Sequence, residues 1–306
     1  MLISGNHAVI DRDGARHEAV EKEAVLEVGA LFFLDNGVYA TLFVVGMIAG
    51  VAGRFVGSDG SLLLTPIMMG LGLPGLLAVG VNMGQSLPKL LIGTLRRHKL
   101  GQVDWSLGFV VALLANLGLL VAVWAHKQIL QNFGESVSNL LLHAVTVSLL
   151  MLLGVVMVRR WWLALREERE AAETAAPWLH PSRGWLLPVG LLGGILSALL
   201  GVSGIFLVPA MISLLAVPPL LASGTALLIA FLTHLAGVVL FALQGWFDLT
   251  MAASLLLGSL MGIQLGKIGS TSFSLPTVRL VVGMTIMMVL FYRLIALPGY
   301  WELAVH

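Results

Sequence analysis

Long apolar runs separated by short polar breaks make up most of this chain. A helix needs about 20 apolar residues to cross a bilayer core. Runs that approach this length fall at roughly 36–54, 75–95, 104–125, 137–158, 185–200, 219–241, 247–266 and 277–297. Two further apolar stretches, 62–72 and 205–216, are too short to span. Each follows a helix-breaking run, Gly57-Ser58-Asp59-Gly60-Ser61 in one case and Gly201-Val202-Ser203-Gly204 in the other. A short, glycine-interrupted segment that recurs in both halves of a membrane protein points to a transporter's binding site.

The recurrence is in register. Pro74, Ala78, Gly80, Gly93, Gly101 and Asp104 each have a counterpart 144 residues later, at Pro218, Ala222, Gly224, Gly237, Gly245 and Asp248. Gly57 and Gly60 match Gly201 and Gly204 at the same offset, and Pro66 matches Pro209 after one deletion. Chance supplies some glycine matches in a chain with 35 glycines; two aspartates and two prolines on one register point to an internal duplication. The expected fold is therefore all-α: a polytopic integral membrane protein of about eight transmembrane helices, in two homologous halves with Gly-broken short helices. If the short elements re-enter, four spans per half make the repeats parallel. If they cross, the repeats can be inverted.

Composition supports the bilayer as solvent. The chain is 58% hydrophobic and 11% charged, with mean hydropathy +0.97, where a soluble domain carries about 25% charged residues. That argues against a soluble enzyme and a disordered chain. The 17 Lys+Arg balance 16 Asp+Glu, so no basic excess exists to hold a nucleic acid. Zero cysteines leave no disulfide framework and no thiolate chemistry.

The charges crowd into two places, 1–27 and 159–183. We read 1–27 as a charged, solvated N-terminal tail, helical over 15–27. It is acidic and lacks the apolar core of a signal peptide. The expected organisation continues with membrane repeat 1 over 28–158, a charged cytoplasmic linker over 159–184 and membrane repeat 2 over 185–306. The positive-inside rule puts the basic loops 96–101 and 159–183 in the cytoplasm, with the N-terminal tail beside them and loops 126–136 and 267–276 outside.

These motifs resemble the TauE/SafE family of membrane permeases. The resemblance rests on the run Gly57-Ser58-Asp59-Gly60-Ser61-Leu62-Leu63-Leu64-Thr65-Pro66, then Leu73-Pro74, Ala78-Val79-Gly80 and Gly101-Gln102-Val103-Asp104-Trp105. The second half repeats it through Pro209, Pro218, Ala222-Ser223-Gly224-Thr225 and Gly245-Trp246-Phe247-Asp248. It covers about 46–108 and 190–266. It implies transport of a small anion, such as sulfite, a sulfonate or another organic acid, across a prokaryotic plasma (inner) membrane. The family's glycine run is replaced by Ser58-Asp59-Gly60-Ser61, and an acidic Asp59 sits at a presumed anion site.

An anion leaving water needs fixed donors, and helix N-termini provide unpaired amides at the positive end of a dipole. Gly57, Ser58, Gly60 and Ser61 in one break and Gly201, Ser203 and Gly204 in the other are the candidate backbone and hydroxyl donors. Small residues at such places also serve close helix packing. The second span carries Asn82, Gln85, Ser86 and Lys89 on one helical stripe, as polar groups facing a cavity would be. Lys89 can instead snorkel toward Arg96. Thr225 is the second-half candidate, and His234 and Asp59 are candidates for proton or ion coupling. Asp104 and Asp248 read as helix caps, the alternative being a cation or proton site. No zinc, nucleotide-binding or nucleophile-elbow motif is present, so the reading is of a secondary transporter and not an enzyme, with no cofactor. Its partners are a small anion and the lipid bilayer, no nucleic acid, with a homo-oligomer left open. The rival readings are a cation-coupled carrier or channel with its ion at Asp59, and a non-transporting membrane anchor for a soluble complex.

Overall fold

Residues 36–56, 61–167, 183–202 and 204–269 are described by the structure, a computed structural model. The N-terminal tail, the first break except Ser61, Ser203, part of the charged linker and the span expected at 277–297 lie outside the described residues. Among the described residues the chain is entirely helical: α1 (Asn36–Val56), α2 (Ser61–Gly70), α3 (Gly75–Lys99), α4 (Trp105–Glu167), α5 (Leu186–Leu200), α6 (Gly204–Ser213), α7 (Pro219–Leu243) and α8 (Leu249–Gly269), with a 3₁₀ turn at Arg183–Trp185.

Sequence chemistry sets the ends. Pro74 and Pro218 precede α3 and α7 with nearly the same backbone angles, φ −52° and −54°. Asp104 Oδ1 accepts the Leu107 amide at 2.9 Å and Asp248 Oδ1 accepts the Met251 amide at 2.6 Å. Both aspartates therefore cap α4 and α8. The connection expected at 126–136 is present but reduced to a break at Gly134. Helix continues through this stretch and is interrupted only at Gly134, where φ 80° and ψ 178° leave helical space. No proline or turn cluster stops the helix sooner, and His126 is hydrogen-bonded to Ser138 across the kink. Asn139, beyond the kink, accepts the Gly75 amide at 3.0 Å and so supplies the cap that Pro74 cannot.

Three helices among the described residues are long and apolar enough to cross a membrane: Trp105–Gly134, Pro219–Leu243 and Leu249–Lys267. At 25 residues, or about 37 Å, α3 has the length as well, but its polar stripe and basic end lower its hydropathy.

Close glycine contacts fix how the helices run. Gly46 lies against Leu255 and Gly50 against Ser259, so positions rise together and α1 is parallel to α8. Gly190 lies against Val111 and Gly194 against Ala115, so α5 is parallel to α4. These contacts touch backbone carbonyls directly, the approach that small residues permit between membrane helices. The central pair differs. Gly80 meets Phe241, Met83 meets Gly237, Ser86 bonds His234 and Gly93 meets Leu227, so α3 and α7 run antiparallel. Several contacts have a counterpart 144 residues away. Gly80 abuts the Trp246 carbonyl as Gly224 abuts that of Gln102, and Gly262 abuts the Met47 carbonyl as Gly118 abuts that of Leu191.

Two apolar cores result. One joins α1, α2, α3 and α8, with Leu142 from the part of α4 beyond Gly134, around Leu42, Leu64, Met68, Val81 and Leu255. The other joins α4, α5, α6 and α7 around Val111, Leu207, Met211, Ala226 and Ile229. A third cluster, with Val79, Met83, Leu119 and Phe241, fills the seam between them.

Candidate functional site

The polar residues of α3 lie in that seam. Asn82, Gln85 and Ser86 are each no more than 1% exposed. Asn82 Nδ2 donates to the Ser61 carbonyl at 2.8 Å and the Thr65 hydroxyl oxygen at 2.9 Å, both on α2, and lies 3.3 Å from the Leu200 carbonyl at the end of α5. Thr65 Oγ1 also donates to the Leu200 carbonyl, at 2.7 Å. The last carbonyls of a helix have no partner within it, and in a bilayer no water replaces one. Asn82 and Thr65 thus close the end of α5 and tie it to the start of α2. The two chain breaks meet on one side chain.

Gly201 caps α5 with φ 68°, a left-handed conformation that glycine adopts without strain. A Cβ there would stand 3.0 Å from Asn82 Nδ2 and 3.2 Å from the Val79 carbonyl. Gly204 is the opposite case. It opens α6, and a Cβ built on it meets no atom of the described residues within 4 Å. Ser61, at the start of α2, is buried.

Gln85 Nε2 donates to Asn82 Oδ1 at 2.9 Å. Ser86 bridges the seam, donating to the Met83 carbonyl at 2.8 Å and lying 2.6 Å from His234 Nδ1 on α7. With the hydroxyl proton on Met83, the imidazole carries its proton on Nδ1. Lys89 does not reach along α3 toward Arg96; its Nζ donates to Ser259 Oγ of α8 at 3.3 Å. Thr225 Oγ1 accepts the Asp104 amide at 2.9 Å, which joins α7 to the start of α4.

The structure therefore gathers Ser61, Asn82, Gln85 and Gly201 into one network and sets Ser86 with His234 beside it along α3. Thr225 and Lys89 sit in separate contacts. Gly57, Ser58, Asp59, Gly60 and Ser203 lie outside the described residues. Sequence reasoning missed Thr65, Ser259 and the Leu200 carbonyl. Thr65 falls one helical turn after Ser61, a signal that could have found it. Ser197, fully buried one turn before Gly201, has no hydrogen-bond partner for its hydroxyl among the described residues.

No solved structure matches the chain. Among characterised sequences, the chain is 22% identical over 262 residues to the Probable membrane transporter protein YunE of Bacillus subtilis (strain 168), a match covering 82% of this chain and 95% of that protein. Residues 42–293 match the family described as Sulfite exporter TauE/SafE. With most of its length matched and helices long enough to span a bilayer, the chain belongs to the TauE/SafE sulfite exporter family of membrane transporters.

Proposed function

We propose that the protein is a secondary transporter of a small anion, such as sulfite, a sulfonate or another organic acid, working by alternating access at the seam between its two apolar cores. The observation that carries this is the meeting of both chain breaks on Asn82, beside the first residue of α6, where the described residues leave space for a methyl. Half-helix N-termini present unpaired amides and a positive dipole end to an anion. Ser61 and Gly204 begin such helices. Gly57, Ser58, Gly60, Gly201 and Ser203 complete the two breaks in this reading. Lys89 adds positive charge on the α3 stripe, with Gln85 and Ser86 facing the substrate and Thr225 steadying α7. His234, bonded across the seam, is the group proposed to carry a coupled proton, with Asp59 as a second carrier.

We further propose two homologous halves of about four elements each, related by inversion. Antiparallel crossing of the corresponding helices α3 and α7 supports it. So does charge: the Arg96, Arg97 and Lys99 cluster has only Leu240, Phe241 and Leu243 at the matching end of α7, as the positive-inside rule asks of opposite faces. α1 runs with α8, and α8 returns from α7 through the turn at Gly245, so α1 begins on the face opposite loop 96–101. This arrangement puts the N-terminal tail outside an inner membrane whose inner face carries 96–101, in place of the shared face expected from sequence. The moving bodies are the two cores, each including one helix from the other half: α8 in the first and the start of α4 in the second.

The test is anion flux in proteoliposomes for wild type and Gly204→Ala. A methyl at Gly204 meets no atom of the described residues within 4 Å, so folded yield should hold while flux of the transported anion falls at least several-fold. Unchanged flux would remove the start of α6 from the site. No saturable flux of any sulfur oxyanion, sulfonate or carboxylate from folded protein would overturn the transport reading.

A further inference from the structure

The directions of the hydrogen bonds around Asn82 decide what Gln85 can offer. The Thr65 hydroxyl proton goes to the Leu200 carbonyl, so its oxygen is an acceptor toward Asn82. The Ser61 and Leu200 carbonyls accept only. Turning the Asn82 amide over would set its oxygen against these three acceptors, so the nitrogen must lie on this side. Asn82 Oδ1 is then the atom facing Gln85, and the Gln85 atom 2.9 Å from it must be the donor Nε2. That leaves Gln85 Oε1 turned away. It is buried on a residue 1% exposed and has no hydrogen-bond partner among the described residues. A carbonyl withdrawn from water and left unpaired is a free-energy cost to the fold, which a ligand's donor would remove.

We infer that Gln85 Oε1 is a specificity contact of the transport site, and that the transported species is an acid anion that still carries its own O–H or N–H. This rests on the transport reading above. An oxyanion that has lost every proton is all acceptor; it would leave Oε1 unpaired and repel it. An anion with a donor hydrogen satisfies Oε1, while its charge meets the ammonium of Lys89, one turn further along the same α3 stripe.

Three sulfonates of similar size test this: hydroxyethanesulfonate, propanesulfonate and methoxyethanesulfonate. The second replaces the hydroxyl by a methyl, and the third keeps the oxygen but loses the donor. Binding to the purified protein in lipid nanodiscs should favour hydroxyethanesulfonate by about tenfold over either analogue. Gln85→Leu should bring the three close together by weakening only the hydroxylated one. Equal affinities in the wild type overturn the inference, as does a preference that survives Gln85→Leu; the wild-type comparison stands whether or not the variant folds. A preference in binding without flux of any anion would refute transport and leave the Gln85 assignment in place.

Discussion

Asn82→Asp changes one terminal group and reverses its hydrogen-bond character. Counting bonds alone ranks it milder than Asn82→Ala, because the carboxyl keeps the oxygen that accepts Gln85 Nε2. The geometry ranks it worse. The replaced nitrogen faces the Ser61 carbonyl at 2.8 Å, Thr65 Oγ1 at 2.9 Å and the Leu200 carbonyl at 3.3 Å, and each of them presents an oxygen. A carboxylate there would be a buried charge against three acceptors. Its escape is to stay protonated, which at pH 7 costs about 4 kcal/mol against an ordinary aspartate's ionisation. Asn82→Ala loses four hydrogen bonds. Interhelical bonds in membranes average ~0.6 kcal/mol, so it should cost about 2 kcal/mol. Denaturant unfolding of purified protein should therefore order wild type above Asn82→Ala above Asn82→Asp at pH 7. The cost of protonation falls as the buffer is acidified, so at pH 5 Asn82→Asp should recover toward or past Asn82→Ala, while Asn82→Ala stays put relative to wild type. An Asn82→Asp variant as stable as wild type at pH 7, or a gap that does not close with acid, would refute the assigned amide orientation.

Three further outcomes follow from the same contacts. Gly201→Ala should lower stability by about 1–2 kcal/mol for its left-handed backbone, with more from the contact on Asn82, and thermal melting in detergent reads it. Gly194→Ala puts a methyl onto the Ala115 carbonyl and must part α5 from α4; folded yield should drop sharply, where yield equal to wild type would contradict the parallel packing. His234→Gln should make flux insensitive to an imposed pH gradient while leaving anion exchange measurable, and flux that still follows the gradient would free His234 from coupling.

The sequence made some of this legible and hid the rest for identifiable reasons. The caps at Asp104 and Asp248 and the polar stripe on α3 were readable because they depend on neighbours within a turn or two. The end of α5 is readable because Gly201, followed closely by Gly204, interrupts an apolar run, and glycine takes the left-handed conformation that stops a helix. The connection at 126–136 is shorter than its polar residues suggest, because nothing there but Gly134 ends a helix. The sequence marks Asn82 as a polar group of the stripe, but two of its partners, the carbonyls of Ser61 and Leu200, are main-chain groups that no side-chain pattern marks. Helix partners were equally invisible. Every apolar span offers leucine and glycine, and only contacts such as Gly50 on Ser259 show which span pairs with which.

The pairing of α1 with α8 also governs how the protein can be made. Roughly 200 residues separate the two, so at about 5–20 residues per second the ribosome needs tens of seconds to deliver α8 after α1. Through that interval the Gly46 and Gly50 face of α1 is in the membrane without the helix whose backbone it was shaped to touch. Early spans must therefore wait, held by insertion machinery or by provisional neighbours. A nascent chain released before α8 would carry its first helix as an exposed sticky face for quality control to recognise.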